Sequence, residues 1–201
     1  MKITYNDLAS FIPALRQHIP RTLLNAGCGT AGRERLPECF QGPDWTEIRL
    51  DIDPQVRPDI LGQVTRMELI DDASMDAVWS SHNLEHLESH EVPRALAEIR
   101  RILKPEGFVM ITLPDLEQIA QLVTEAKLEQ ILYQSPAGPI TPLDMLFGHQ
   151  ASLAKGNKYM AHRTGFTADR LGNCLVEAGF IEVRILHGKS FNLWAIAKMV
   201  L

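Results

Sequence analysis

The sequence predicts an α/β protein with a mostly parallel sheet and helices on both faces. Short apolar runs alternate with segments of helical periodicity, a pattern typical of βαβ units. A glycine-rich loop directly follows the first apolar run, and the last two strands are joined so closely that they must pair antiparallel. The 201 residues are 45% hydrophobic and 22% charged. We expect residues 1–201 to form one domain, long enough to bury a sizeable core.

Five strands precede the terminal pair. The first is a short apolar run that ends at Gly27, the second is stopped by Asp53-Pro54, and the fifth follows the turn Lys104-Pro105-Glu106-Gly107. The predicted strands cover residues 21–26, 47–52, 59–61, 75–80 and 108–113, and the closing pair covers 180–187 and 191–199.

Four helices are predicted, one before the first strand and three between later strands. One covers residues 10–18, and one begins near Ser89 as N-cap and carries apolar residues from 92 to 103 at helical spacing. Asp115 with Gln118 resembles a capping box, opening a helix with Leu116, Ile119, Val123 and Ala126 on one face. Thr167 caps the last helix, and Gly179 ends it. Residues 134–166 fit no regular pattern, and a long irregular segment of this kind indicates a functional cover over a site.

Composition excludes several classes of function. Twenty Lys and Arg against 25 Asp and Glu give a net charge of −5, so an extended basic surface for nucleic acid is not expected. The sequence contains no run of about 18 apolar residues, so no membrane span is predicted. The first residues lack the apolar core of a secretory signal, and the three cysteines form neither a disulfide framework nor a metal pair. We therefore expect a cytoplasmic protein.

The glycine-rich loop predicts a nucleotide-like ligand. Residues 27–32 match GxGxxG, and Asp51 ends the next strand, where its carboxylate can accept hydrogen bonds from two ribose hydroxyls. A dinucleotide oxidoreductase is one interpretation. Pro37 argues against it, because the helix that holds a pyrophosphate would be broken early. The terminal hairpin also replaces a second mononucleotide-binding half.

Five segments in order resemble the class I S-adenosylmethionine-dependent methyltransferases, in particular small domains with an LEHL motif after strand four. The segments are LLNAGCGT (23–30), RLDIDP (49–54), MDAVWSSHNLEHL (75–87), ALAEIRRILKPEGFVMITLPDL (95–116) and FTADRLGNCLVEAGF (166–180). The resemblance implies a Rossmann-like seven-stranded sheet of order 3-2-1-4-5-7-6, with only strand 7 antiparallel. It also implies S-adenosylmethionine as cofactor.

The resemblance assigns the cofactor site by position. Asp51 takes the ribose hydroxyls, Ile52 flanks the adenine, and Gln63 accepts from the adenine amino group. The full expected set is Asn25, Ala26, Gly27, Cys28, Gly29, Asp51, Ile52, Gln63, Val64, Ser81 and His82.

The sequence departs from the family pattern in three places. Asn25 stands where the family usually has an acid, so it supplies no charge for the ammonium group of the cofactor. Residues 31–45 match a first helix poorly, and residues 53–58 are too few for a second one. We expect trimmed helices after strands 1 and 2.

The motif His82-Asn83-Leu84-Glu85-His86 has two interpretations. It matches HxxEH, an inverted zinc-protease motif, but zinc would also need a third ligand. The LEHL motif of the resembled family accounts for the same residues, so no metal is expected. His82 faces the methyl group in the family arrangement, and its imidazole suits removal of a proton from a hydroxyl acceptor.

The segment 134–166 supplies the candidate acceptor residues His149, Tyr159, His162 and Arg163. We expect a small polar acceptor with a hydroxyl group. Nucleic acid is not expected, because Ser80-Ser81-His82-Asn83 stands where base-methylating relatives carry an Asn/Asp-Pro-Pro-aromatic tetrad. An alternative is a catalytically inactive protein that binds S-adenosylmethionine or acts as a scaffold. A homodimer is compatible with either function.

Overall fold

A seven-stranded sheet of order β3-β2-β1-β4-β5-β9-β8 forms the centre of the computed structural model, which describes residues 20–199. Strand β9 is antiparallel to both of its neighbours, and the other pairings are parallel. Because β8 and β9 are the sixth and seventh strands of this sheet, the predicted order 3-2-1-4-5-7-6 is confirmed. The strands are β1 (Arg21–Ala26), β2 (Trp45–Asp51), β3 (Ile60–Leu61), β4 (Met75–Ser81), β5 (Leu103–Pro114), β8 (Glu182–His187) and β9 (Asn192–Lys198).

The predicted turn at 104–107 is wrong in one respect, since strand β5 already begins at Leu103. Met75 pairs with Leu103 and Ala77 pairs with Phe108, so four residues bulge out of the ladder between them. A Cβ at Gly107 would lie 2.9 Å from the Lys104 carbonyl oxygen. Gly107 therefore permits the close approach of the backbone in this bulge, which lies inside strand β5 rather than before it.

Six α-helices occur in the described part of the chain. They are α1 (Glu38–Gln41), α2 (Val92–Ile102), α3 (Leu116–Thr124), α4 (Pro142–Phe147), α5 (Gln150–Ala154) and α6 (Ala168–Glu177). The predicted helix at 10–18 lies outside the described residues. No helix within residues 20–199 is long and apolar enough to span a membrane.

Two of the three predicted helix caps are confirmed. The Thr167 side chain accepts from the Arg170 amide at 3.2 Å, and the Asp115 carboxylate accepts from the Glu117 amide at 3.1 Å. Ser89 is not a cap: its hydroxyl binds Arg170 at 2.7 Å, and helix α2 begins after Glu91 without a side-chain cap.

Helix α3 is shorter than predicted. It ends at Thr124, and Ala126 has a φ of +58°, so the expected apolar face does not continue to that residue. Ile119 is buried, whereas Val123 is 38% exposed.

The two faces of the sheet are covered unequally. Helices α2 and α6 bury Leu96, Ile99, Leu171 and Leu175 in the larger core on one face. The core on the other face consists of strand side chains together with Leu36, Cys39 and Phe40 from the segment after β1. Within residues 20–199, the expected trimmed helices are thus the four-residue α1 after β1 and a single 3₁₀ turn, Pro54–Val56, after β2.

The region 134–166 contains regular structure, contrary to the prediction. A hairpin of β6 (Tyr133–Ser135) and β7 (Gly138–Ile140) precedes helices α4 and α5 and a 3₁₀ turn, Lys158–Met160. These elements have three to six residues each, which is too short for a periodic pattern to reveal them.

Candidate functional site

A cavity of about 670 Å³ opens at the carboxyl ends of β1, β2 and β4. Ligands of open α/β sheets bind at this edge. One side of it, here called the motif half, is lined by Gly27, Gly29, Asp51, Ile52, Gln63, Val64 and His82. The other side, here called the insertion half, is lined by Tyr133, Met145, His149, Tyr159, His162 and Arg163. The four predicted acceptor residues therefore face the same cavity as most of the predicted cofactor residues.

The glycine loop of the motif half has a backbone that favours glycine. Gly27 and Gly29 have φ values of +72° and +56°, in the left-handed region. A Cβ on Gly27 would lie 2.7 Å from the Asn83 side chain. The amides of Gly27 and Cys28 both donate to the Leu50 carbonyl, at 2.9 and 3.1 Å. These bonds hold the loop against the end of β2.

The carboxylate of Asp51 is held in place before any ligand binds. One oxygen accepts from the Gly29 amide at 2.8 Å, and the other accepts from the Asp53 amide at 2.9 Å. A carboxylate oxygen has two lone pairs, so each still has room for a second donor. Asp51 lines the cavity and can receive a pair of hydroxyl groups there.

Four predicted cofactor residues do not line the cavity. Asn25 is buried, and its amide donates to Glu47 at 2.8 Å, whereas Ala26 is fully buried and presents its carbonyl to Asn83 at 3.3 Å. Ser81 lies partly buried at the end of β4, next to the cavity residue His82. Cys28 is 7% exposed, and burial raises the pKa of its thiol to about 11.

The imidazole of His82 is oriented by a buried carboxylate. Its backbone has a φ of +48° and its amide donates to the Thr112 carbonyl at 2.8 Å, while Nδ1 lies 3.1 Å from Glu85 Oε1. Burial opposes the charged form of the imidazole. The hydrogen bond to Glu85 and the charge of that carboxylate outweigh burial and raise the pKa of His82.

Glu85 is 1% exposed, and its second oxygen, Oε2, has no hydrogen-bond partner. Burial alone would raise its pKa, but the hydrogen bond from His82 and the nearby rings of His86 and His162 lower it. Its carbonyl accepts from the Arg163 amide at 2.8 Å, which ties the LEHL segment to the insertion. The result is a buried carboxylate with one free oxygen.

Two further histidines lie next to this carboxylate. Nδ1 of His86 is 3.0 Å from the Ala161 carbonyl, and Nδ1 of His162 is 2.8 Å from the Met145 carbonyl. Their ring centroids are 4.9 Å apart, and burial lowers the pKa of His162. One ligand atom each from Glu85, His86 and His162 lies within 4.8 Å of the other two. Sequence reasoning noted HxxEH but missed this cluster, since its third member is 76 positions beyond His86.

The remaining insertion residues have defined partners or face the cavity directly. His149 is 8% exposed and bonds the Ser152 hydroxyl at 2.7 Å, whereas Tyr159 is half exposed. Arg163 pairs with Glu88 across the cavity rim at 3.0 Å. A small molecule in the cavity would meet imidazole, phenol and thioether groups on this side.

Residues 24–111 match the family model described as a methyltransferase domain. No curated protein matches the chain. Similar solved structures include an S-adenosylmethionine-dependent methyltransferase of Archaeoglobus fulgidus, at 15% identity and a TM-score of 0.60, covering 96% of this chain and 91% of that one. One from Aquifex aeolicus has 13% identity and a TM-score of 0.59, covering 96% and 87%.

The 1,6-didemethyltoxoflavin-N1-methyltransferase of Burkholderia thailandensis, solved with bound 1,6-didemethyltoxoflavin and S-adenosylhomocysteine, has 17% identity and a TM-score of 0.51. The match covers 89% of this chain and 71% of that one. Likeness at these identities establishes a common fold.

Proposed function

We propose that the chain is a class I S-adenosylmethionine-dependent methyltransferase that methylates a small acceptor bearing a hydroxyl group. The observation that carries the proposal is the single cavity with two chemically different halves. The motif half offers a glycine loop and a fixed carboxylate, and the insertion half offers polar side chains. Cofactor and acceptor would meet between them.

The motif half fits S-adenosylmethionine. Asp51 presents two carboxylate oxygens to the cavity for the ribose, and Gly29 leaves open space where a Cβ would stand. Ile52 and Val64 supply apolar surface for the adenine, and Gln63 presents an amide on the same wall. When bound, the cofactor supplies an electrophilic methyl group on a sulfonium sulfur.

The size of the cavity favours a small acceptor. A volume of about 670 Å³ is within the range for small-molecule sites, and the cofactor occupies part of it. His149, Tyr159 and His162 offer hydrogen-bonding groups, while Met145 offers apolar contact. These groups suit a molecule with hydroxyl substituents better than a nucleic acid strand, which needs a basic groove.

His82 is our candidate for contact with the reacting hydroxyl. It lies on the cavity wall at the end of β4, and Nδ1 is engaged by Glu85, so Nε2 is the ring atom left for an acceptor. Holding a nucleophile in line with the methyl group contributes strongly to a displacement reaction. Full turnover by a His82→Ala variant would contradict this assignment.

Two other interpretations are weaker. Asn25 and the trimmed helices after β1 and β2 are the features that support the scaffold interpretation. The short helices are present, but Asn25 binds Glu47 rather than lining the cavity, so its identity does not argue against cofactor binding there. A dinucleotide oxidoreductase would need a long helix after the glycine loop, where the chain has a 3₁₀ turn, Arg33–Arg35, and the four-residue α1. A cytoplasmic location and a homodimer stay predictions.

Two measurements test the proposal. Calorimetry with S-adenosylmethionine, S-adenosylhomocysteine and NAD should give sub-millimolar binding of the two sulfur ligands and none of NAD. Transfer of a labelled methyl group should then be followed over a panel of small phenols, catechols and aliphatic alcohols. Absence of binding by either sulfur ligand would contradict the proposal. Binding without methylation of any acceptor would support the scaffold alternative.

A further inference from the structure

One of the two oxygens of the buried Glu85 carboxylate has no hydrogen-bond partner. Its side chain is 1% exposed, Oε1 is bound by His82, and Oε2 has no hydrogen bond. A buried ionised oxygen without a partner is expensive, because water no longer solvates it. Something with positive charge is therefore expected beside Oε2.

Two further histidines beside Glu85, His86 and His162, are oriented like metal ligands. A backbone carbonyl can only accept a hydrogen bond, so Nδ1 of His86 and of His162 must carry the proton that reaches Ala161 and Met145. In the neutral rings Nε2 then holds the lone pair. Metal-binding histidines commonly have this arrangement, with the second ring nitrogen fixed by a carbonyl or carboxylate.

The three side chains are close enough to share one ion. Their ligand atoms lie within 4.8 Å of one another. Ligands at about 2.1 Å from a common ion are about 3 to 3.5 Å apart, so small side-chain rotations would complete the site. Glu85 and His86 lie on one 3₁₀ turn, and His162 is anchored to the same turn through the Arg163 amide, which donates to the Glu85 carbonyl at 2.8 Å.

We propose that Glu85, His86 and His162 bind a divalent first-row transition metal ion. Two imidazoles and one carboxylate suit Zn²⁺, Fe²⁺, Co²⁺ or Mn²⁺, whereas Ca²⁺ and Mg²⁺ prefer all-oxygen sites. His86 and His162 line the cavity, so the remaining coordination positions open toward the acceptor. This departs from the expectation of no metal, because the sequence motif alone could not supply the third ligand.

The role of the ion deepens the proposed function and rests on it. A metal ion binds and acidifies a hydroxyl group at neutral pH. In the transfer, the acceptor hydroxyl gives its proton to solvent and its oxygen forms a bond to the methyl carbon. The carbon–sulfur bond breaks, and its electron pair stays on the sulfur of S-adenosylhomocysteine.

Metal binding is tested directly on the full chain. Protein freed of metal with a chelator is titrated with Co²⁺ and, separately, with Zn²⁺, followed by calorimetry and by the visible absorption of Co²⁺. We expect one equivalent per chain with micromolar or tighter affinity. His162→Ala and Glu85→Gln should each weaken binding at least 10-fold, and His90→Ala, which removes an exposed histidine outside the cluster, should not.

Two results would overturn the metal site: no saturable binding of either ion, or equal binding by wild type, His162→Ala and His86→Ala. The two histidines are only half buried, so these variants carry the test even if Glu85→Gln fails to fold. S-adenosylhomocysteine binding is measured on the same samples. Its retention without metal binding rejects the metal site alone, and its absence with metal binding retained rejects the proposed cofactor function alone.

Discussion

The motif half and the insertion half of the cavity are built in different ways. The motif half depends on bonds between adjacent strand ends, such as Gly29 to Asp51 at 2.8 Å. The insertion half depends on contacts between segments far apart in the chain, such as His86 to Ala161 at 3.0 Å. In the proposed function, the cofactor residues therefore lie within residues 27–82 at the ends of neighbouring strands, whereas the acceptor residues are brought to the cavity by contacts between distant segments.

This contrast predicts that substitutions in the two halves have separable effects. The largest effect is expected for Asp51→Ala. The variant loses two charge-assisted hydrogen bonds to the ribose, each contributing about 1.5–3 kcal/mol. It also frees the Gly29 amide that Asp51 holds. S-adenosylhomocysteine affinity should fall by about 100-fold or more, as measured by calorimetry.

Asp53→Ala is the matched control for Asp51→Ala. It removes a carboxylate two positions away but keeps the backbone amide that donates to Asp51 at 2.9 Å. Its carboxylate caps the following 3₁₀ turn through the Gln55 amide. Near wild-type affinity is expected, and an equal loss in both variants would contradict the placement of the ribose at Asp51.

A pair of glycine substitutions sharpens the contrast. Gly27→Ala places a Cβ 2.7 Å from Asn83 at a φ of +72°, so cofactor affinity should fall about 10-fold or more, with a stability loss of about 1–2 kcal/mol.

Gly148 has a φ of +93°, and a Cβ there would overlap the Met160 carbonyl. Gly148→Ala should displace His162 and reduce methyl transfer while S-adenosylhomocysteine affinity stays near wild type.

Thermal unfolding and calorimetry on both variants separate these effects from general destabilisation. A loss of cofactor affinity in Gly148→Ala as large as that in Gly27→Ala, measured at a temperature where the variant is folded, would contradict the separation of the two halves. In that case the two halves would form a single cooperative unit rather than two sites that meet.

The sequence predicts the motif half of the cavity better than the insertion half. The strand order and the loop carrying Gly27 and Gly29 were predictable, because they follow from local patterns and from the family resemblance. The placement of Asn25 away from the cavity was not, since strand alternation alone does not say which neighbour its amide binds. The cluster around Glu85 was also beyond sequence reasoning, because His162 reaches it through a fold of the insertion with no periodic signal.

The smallest effect is expected for Cys28→Ala. The thiol is buried behind the loop, does not line the cavity, and makes only a 4.0 Å contact with the Asp51 carboxylate. The affinity of the Cys28→Ala variant for S-adenosylhomocysteine should differ from wild type by no more than about two- to threefold. Because burial raises the pKa of this thiol to about 11, we also expect negligible alkylation by iodoacetamide at neutral pH. Mass spectrometry of tryptic peptides measures this, and rapid modification of Cys28 would show that the loop opens.

The most direct test of the two-halved cavity is a crystal structure of the complex with S-adenosylhomocysteine. The account predicts both ribose hydroxyls within about 3.2 Å of the Asp51 carboxylate, with the sulfur turned toward the insertion half. An adenosine group bound against Tyr159 and His162, with the ribose away from Asp51, would contradict it.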